Sequence, residues 1–146
     1  MEVTIKRAVV TQANKISTKK TVHVAVGIVL QGNKVFLTKR AEDVHQGGKW
    51  EFPGGKVEIG ETVDQALHRE LKEEIGIEVK RSSTFMRIEH DYPKVNVHLD
   101  FIRVDDFDGT ASGCEGQLFE WFEIGELATV DFPEANKSVV KKLLAL

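Results

Sequence analysis

The chain is poor in several residue types, and each shortage excludes something. It has a single cysteine, Cys114, so no intrachain disulfide can form and a reducing compartment is expected. Positive charge is not in excess. Twenty Lys and Arg stand against 23 Asp and Glu, a formal net charge of -3. That argues against a broad basic surface for polymeric nucleic acid, though not against a locally charged pocket. No apolar run approaches the ~20 residues that a membrane-spanning helix needs. The opening stretch "MEVTIKRAVVTQANKISTKK" has no apolar core of signal-peptide type. The expectation is a cytoplasmic protein without a membrane partner. Internal repeats and low-complexity segments are also missing. What remains, 146 residues with 41% hydrophobic and 29% charged, suits one domain with one core.

The pattern along the chain is of strands and helices in alternation. Residues 1–20 read as a leader or an extra edge strand outside the core, with the domain proper at 21–146. "VHVAVGIVL" (Val22 to Leu30) is a continuous apolar run of the kind a buried strand needs. "QGN" turns the chain, and "KVFLTKR" (Lys34 to Arg40) returns as a second strand. "AEDVHQGG" reads as loop and "KWEF" as a short strand; Pro53, Gly54 and Gly55 then break the chain. Thr62 to Ile75 reads as a helix closed by Gly76. Two alternating strands follow, joined around Pro93, and then the strand "LFEWFEI". "PEANKSVVKKLLAL" ends the chain as an amphipathic helix, with Pro133 in its first turn and Val139, Val140, Leu143 and Leu144 on one side. This order predicts an α/β fold, a mixed sheet covered on both faces.

The first helix holds the chemical signal. At about 100° per residue, Leu67, Leu71 and Ile75 share an arc that should face the sheet. Glu70, Glu73 and Glu74 share the neighbouring arc, since positions three and four apart lie on one face. These carboxylates gather where the helix dipole disfavours negative charge. Either they are solvated surface, or hard divalent cations such as Mg²⁺ or Mn²⁺ neutralise them. The preceding "FPGGKVEIGE" favours the second reading. A double glycine lets the backbone approach a ligand and offers a carbonyl to a metal.

Gly55, Glu61, Arg69, Glu70, Leu71, Glu73, Glu74, Gly76 and Ile77 together match, without departure, the signature of the Nudix hydrolases, and the chain resembles that family. The resemblance implies the Nudix α/β/α sandwich and metal-assisted hydrolysis of a nucleoside diphosphate linked to another group. It further implies that Glu70, Glu73 and Glu74 are metal-binding carboxylates, with the Gly55 carbonyl as a further ligand. Glu61 and Arg69 are expected to support this socket, Arg69 by orienting a glutamate. The general base is either Glu74 or a glutamate from a loop outside the signature. Glu115, in "GCEGQ", is the loop candidate for metal ligand or base. Arg40 is a candidate clamp for substrate phosphates or else a strand-end surface arginine; Lys56 is a weaker phosphate candidate.

The segments "VAVGIVL", "FLTKRAEDVHQGGKWEFPGGK", "CEGQ" and "DFPEANKSVVKKL" extend the resemblance to the MutT-type branch, the 8-oxo-dGTP diphosphatases. That branch implies hydrolysis of 8-oxo-dGTP to 8-oxo-dGMP and pyrophosphate, which keeps oxidised guanine out of the precursor pool. A cytidine nucleotide or a dinucleoside polyphosphate is the alternative substrate. Asn136 stands where this branch carries a base-reading asparagine, and an amide can meet the O6 acceptor and N1 donor of guanine together. Phe52 is expected either to pack on the base or to hydrogen-bond it through the main chain, and His45 to lie near the nucleotide. Val95 departs from the pattern, standing where an arginine is expected to line the base pocket. A monomer binding a small-molecule nucleotide is expected. No zinc site is expected, because His90 and Cys114 lack partners at metal-ligand spacing.

Overall fold

The computed structural model describes residues 19–146. The reading of the first 20 residues therefore falls almost wholly outside it. Seven strands and two α-helices follow in the order β1 (Lys20–Gln31), β2 (Lys34–Lys39), β3 (Trp50–Glu51), β4 (Gly54–Lys56), α1 (Val63–Ile75), β5 (Glu78–Asp91), β6 (Val95–Asp108), β7 (Phe119–Glu123) and α2 (Lys137–Leu144). The sheet is mixed. Its main order is β3-β2-β1-β6-β5, with β4 also pairing with β1 and β7 with β2. β1 and β6 run parallel and the other pairs antiparallel.

Strand β1 shows why both faces are covered. Successive side chains of a strand point to opposite faces. Val26, Ile28 and Leu30 join one core cluster with Val139, Val140 and Leu143 of α2. Ala25 and Val29 join the other, with Ala66, Leu67, Leu71 and Ile75 of α1. The continuous apolar run is thus two alternating sets read together, and the architecture is the expected α/β/α sandwich. Gly27 lies under α1, and a methyl group there would sit 2.9 Å from the Leu71 Cδ1 atom. The missing side chain lets the helix settle close to the sheet. Trp50 and Trp121 pack edge-on against Phe122 and Phe36, with ring centroids 5.0 and 5.2 Å apart.

Helix α1 ends at the expected Gly76 cap, while Thr62, read as its first residue, is instead its N-cap. Thr62 and Gln65 form a reciprocal capping box, and Gly76 closes the helix in the left-handed conformation at φ 78°. Four further features differ from expectation. Gly54 and Gly55, read as a break, begin strand β4, and Gly54 and Gly55 pair with Val26 and Ala25. The strand hides in sequence because glycine carries no strand signal. A 3₁₀ turn at Ile124–Thr129 was not foreseen. The last helix begins later than read, at Lys137, after a 3₁₀ turn at Glu134–Asn136. Leu144 is 41% exposed, so it does not share the buried side with Val139, Val140 and Leu143.

Candidate active site

Two structural accidents of glycine place the carboxylates. Gly54, pressed against β1, turns its amide toward α1 and donates to Glu74 Oε1 at 3.0 Å. At Gly55 an added Cβ would stand 2.2 Å from the Glu70 carboxyl carbon. Glu70 therefore lies directly on the Gly55 backbone, in space that no other residue type would leave open. The signature loop and α1 fold against one another through these two contacts.

Arg69 organises the outer side of the cluster. Its Nε and Nη2 groups donate to both oxygens of Glu61 at 2.7 and 2.9 Å. Nη2 also donates to the Lys56 carbonyl at 3.0 Å. Nη1 reaches Glu70 at 3.3 Å and Glu73 at 3.5 Å. Glu61 in turn accepts from the Glu58 amide at 2.9 Å. Hydrogen bonds from Arg69 and Glu58 hold the Glu61 carboxyl at about 2, well below the usual carboxylate range. Glu61 and Arg69 thus brace the loop against the helix, while Glu70 and Glu73 keep lone pairs to spare.

The inner carboxylates are in the opposite electrostatic state. Burial first, then the charges of Glu51, Glu115 and Glu70, push the Glu74 carboxyl up to about 7, against the lowering effect of the Gly54 amide. Burial likewise raises Glu70, with Glu73 and Glu115 adding to it and Arg69 opposing. Glu115 is exposed in its loop, yet its charge is felt at both Glu70 and Glu74. The loop is pinned there by two donors to the Glu74 carbonyl, the Cys114 amide at 3.0 Å and the Gln117 side chain at 3.2 Å. Glu73 is the most open of the three α1 glutamates, with 58% of its side chain exposed.

These groups offer oxygen donors only, from four carboxylates and the Gly55 carbonyl, which is the donor chemistry of Mg²⁺ or Mn²⁺. Among the described residues, no three acidic, histidine or cysteine side chains are already drawn together around a common point. The fit rests instead on the mutual repulsion within the cluster, which a divalent cation would relieve.

A cleft of about 780 Å³ opens beside the carboxylates and has Glu74 and Gly54 in its wall. Arg40, His45, Phe52 and Asn136, expected from sequence, all line it. Lys56, Glu70, Glu73 and Glu115 lie outside it. The Phe52 ring is 4% exposed and stacks on Phe132, centroids 5.4 Å apart. Phe52 belongs to the core cluster that also holds Val24, Val26 and Leu99 of the cleft wall. Asn136 is at the N-cap position of α2, where an asparagine ordinarily caps the helix. Its side chain makes no such bond, so the amide is left free for the cleft. Arg40 is partly buried and already engaged. Its Nη1 donates to Glu51 at 2.8 Å and its Nε to the His45 carbonyl at 2.9 Å. Val95 lines the cleft together with Tyr92, Pro93 and Lys94 of the β5–β6 hairpin.

Sequence reasoning missed Glu51. It lies in the same cleft and its charge reaches Glu74. No pattern marked it, since a glutamate in a two-residue strand looks like surface. The hairpin tip at 92–94 was missed for a related reason, because a turn that shares a cleft wall with residues 40 positions away leaves no local trace.

The geometry agrees with what comparison with known proteins shows. A family model for the NUDIX domain matches residues 25–142. The 8-oxo-dGTP diphosphatase of Escherichia coli K12 is 44% identical over 128 residues, covering 87% of this chain and 99% of the relative. The CTP pyrophosphohydrolase of the same organism is 33% identical over 127 residues, covering 87% and 94%. A solved structure from work on MutT of Aliivibrio salmonicida and Vibrio cholerae superposes with a TM-score of 0.78 at 44% identity, covering 86% of this chain and 98% of that one. A glycine-braced carboxylate cluster beside a nucleotide-sized cleft, and a family match across most of the chain, lead to one conclusion: this protein belongs to the NUDIX family.

Proposed function

We propose that the protein hydrolyses 8-oxo-dGTP to 8-oxo-dGMP and pyrophosphate, with Mg²⁺ or Mn²⁺ as cofactor, as a pool-cleaning enzyme of the cytoplasm. The observation that carries this reading is Asn136. Its amide lines a cleft whose wall also holds Glu74, and it is not spent on capping its own helix. Its relatives named for this activity supply independent support. A base held at Asn136 can extend its phosphates along the cleft toward the carboxylates.

The residues divide the work by position. The Asn136 amide can donate to O6 and accept from N1 of a guanine ring. The Phe52 main chain offers a fixed polar edge, anchored by the buried ring. Oxidation at C8 turns N7 from an acceptor into a donor. A cleft acceptor placed there leaves ordinary guanine with an unpaired contact worth about 1–3 kcal/mol. Arg40, with two of its donors already engaged, retains further N–H groups for phosphate oxygens. Glu70, Glu73, Glu74, Glu115 and the Gly55 carbonyl would hold the metal. When bound, it supplies charge neutralisation for the phosphates and a more acidic water. Glu74, raised to about 7 by burial, is poised to accept a proton near neutral pH; Glu115 is the other candidate base. Val95 gives the base an apolar wall where a long cationic side chain would otherwise cover it, so the pocket is looser.

A second reading keeps the chemistry and changes the base, since the relative that hydrolyses CTP by name is also similar over most of the chain. A panel of 8-oxo-dGTP, dGTP and CTP, run on the wild type and on Asn136→Ala, separates the two. Because O6 and N1 are the same in guanine and 8-oxoguanine, Asn136→Ala should raise KM for 8-oxo-dGTP and dGTP alike by about tenfold or more, and so cut the preference for guanine nucleotides over CTP. Unaltered KM values for both guanine nucleotides overturn base reading by Asn136, and a wild type that favours CTP selects the second reading.

A further inference from the structure

The loop from Ala41 to Gly48 carries His45 and Gln46 into the cleft wall, and it is held in an unusual way. Gln46 adopts a left-handed conformation at φ 59°, the sole non-glycine residue among those described to do so. Such a conformation persists in a side-chain-bearing residue only when its surroundings impose it. The backbone closes the base of the loop, with the Arg40 amide donating to the Lys49 carbonyl at 2.8 Å and the Gly48 amide to the Arg40 carbonyl at 3.1 Å. The tip is held by one side chain. Arg40 Nε donates to the carbonyl of His45, the residue just before Gln46, at 2.9 Å. The same guanidinium is fixed at its other end by Glu51 Oε1 at 2.8 Å.

Glu51 is otherwise an expensive residue to keep. Its carboxyl is half-buried and raised by that burial, with Arg40 as the opposing influence. It also repels Glu74. A half-buried carboxylate beside an acidic metal socket weakens phosphate binding unless its charge is tied up. The pair with Arg40 does that, and the rigid fork of the guanidinium lets one side chain serve Glu51 and the His45 carbonyl at once.

We propose that Glu51 is a positioning residue: through Arg40 it fixes the 41–48 loop, and so sets how tightly the cleft takes the phosphates and sugar of the nucleotide. The proposal rests on the nucleotide-hydrolysis reading given above. Glu51 touches neither metal nor substrate in this role, and its hold on the loop passes through Arg40.

Two measurements test it. The first needs no nucleotide. Glu51→Gln keeps the shape but removes the charge that holds Arg40. Amide exchange at Val44 and Gly48 should accelerate by about tenfold or more while the amides of α1 stay as they are. Unchanged exchange in the loop overturns the proposal. The second is a kinetic cycle with 8-oxo-dGTP, or with whichever nucleotide the wild type turns over fastest if that preference fails. Glu51→Gln should raise KM by roughly tenfold with kcat within about threefold. Arg40→Ala should raise KM at least as much, leaving Glu51 half-buried without its partner. Adding Glu51→Ala to Arg40→Ala should then cost nothing more, and relief of the stranded carboxylate should lower KM somewhat. If the two losses multiply, or if Glu51→Gln lowers kcat by more than about 10²-fold, Glu51 acts by its own contact with the reacting groups and the positioning role is wrong.

Discussion

Glu74 is under two opposed demands. It accepts from the Gly54 amide, which favours the ionised form, yet burial and three neighbouring carboxylates raise it to about 7. The sign of the consequence for stability follows from proton linkage. Below pH 4.5 both folded and unfolded chains hold the proton. Between 4.5 and about 7 the folded protein keeps a proton that the unfolded chain releases, so stability falls as pH rises. Above about 7 the penalty is constant. In metal-free protein Glu74→Gln should therefore be the more stable form at pH 8, by on the order of 1–2 kcal/mol, and the advantage should vanish near pH 4. Denaturant unfolding at the two pH values checks this; equal stability at pH 8 would mean the carboxylate is not penalised. The same variant should lose more than about 10²-fold in kcat, which separates what Glu74 costs the fold from what it gives the reaction. Glu61 behaves oppositely. Its lowered value of about 2 means that its support is intact above pH 4.5 and is lost as pH falls toward 2.

At the scale of elements, the short strand β4 and helix α1 form the unit that builds the site. Adjacent glycines do different jobs in it. A Cβ on Gly54 would lie 2.1 Å from the Ala25 carbonyl oxygen, a backbone atom that cannot step aside. A Cβ on Gly55 would meet the movable Glu70 carboxylate. Gly54→Ala should therefore unpair β4 from β1 and destabilise the protein by about 2–4 kcal/mol. Gly55→Ala should cost much less stability but displace Glu70 and weaken Mg²⁺ binding by about tenfold or more. Thermal melts with and without Mg²⁺ distinguish the pair. If both variants melt like the wild type, the glycines are not placed as described. This unit also marks the limit of what the sequence discloses. Helix α1, its Gly76 cap and the carboxylate face were all legible, because periodicity and the glycine stop are local properties. The role of β4 was not, because Gly-Gly reads as a break. Glu51 was not, because its importance arises from Arg40 and Glu74, 11 positions before and more than 20 after. The late start of α2 follows from the same cause, since Asn136 looks like part of a helix in sequence and is turned into the cleft by the preceding 3₁₀ turn.

For the molecule as a whole, the sandwich acts as a frame that holds two ends of one ligand. α1 packs on one face of the sheet and α2 on the other, and the cleft runs from Asn136 to Glu74. Cation binding should accordingly stabilise the whole domain. Ligand at about 100 times its dissociation constant adds about 2.7 kcal/mol to a folded state that alone binds it. Mg²⁺ should raise the melting temperature, and more so at pH 8 than at pH 6, because the Glu74 proton at about 7 must leave before the carboxylate can serve a metal. Chelation should reverse the gain. A melting temperature indifferent to Mg²⁺ at pH 8 would remove the carboxylate cluster from its metal-binding role.

The most direct test of the central claim is steady-state hydrolysis of 8-oxo-dGTP against dGTP in Mg²⁺, following pyrophosphate release. The structure predicts a strong preference for 8-oxo-dGTP, expressed mainly in KM, because discrimination resides in the cleft around Asn136 and the hydrolytic groups are common to both substrates. Comparable rates and KM values for the two nucleotides, or negligible turnover of both, would contradict it.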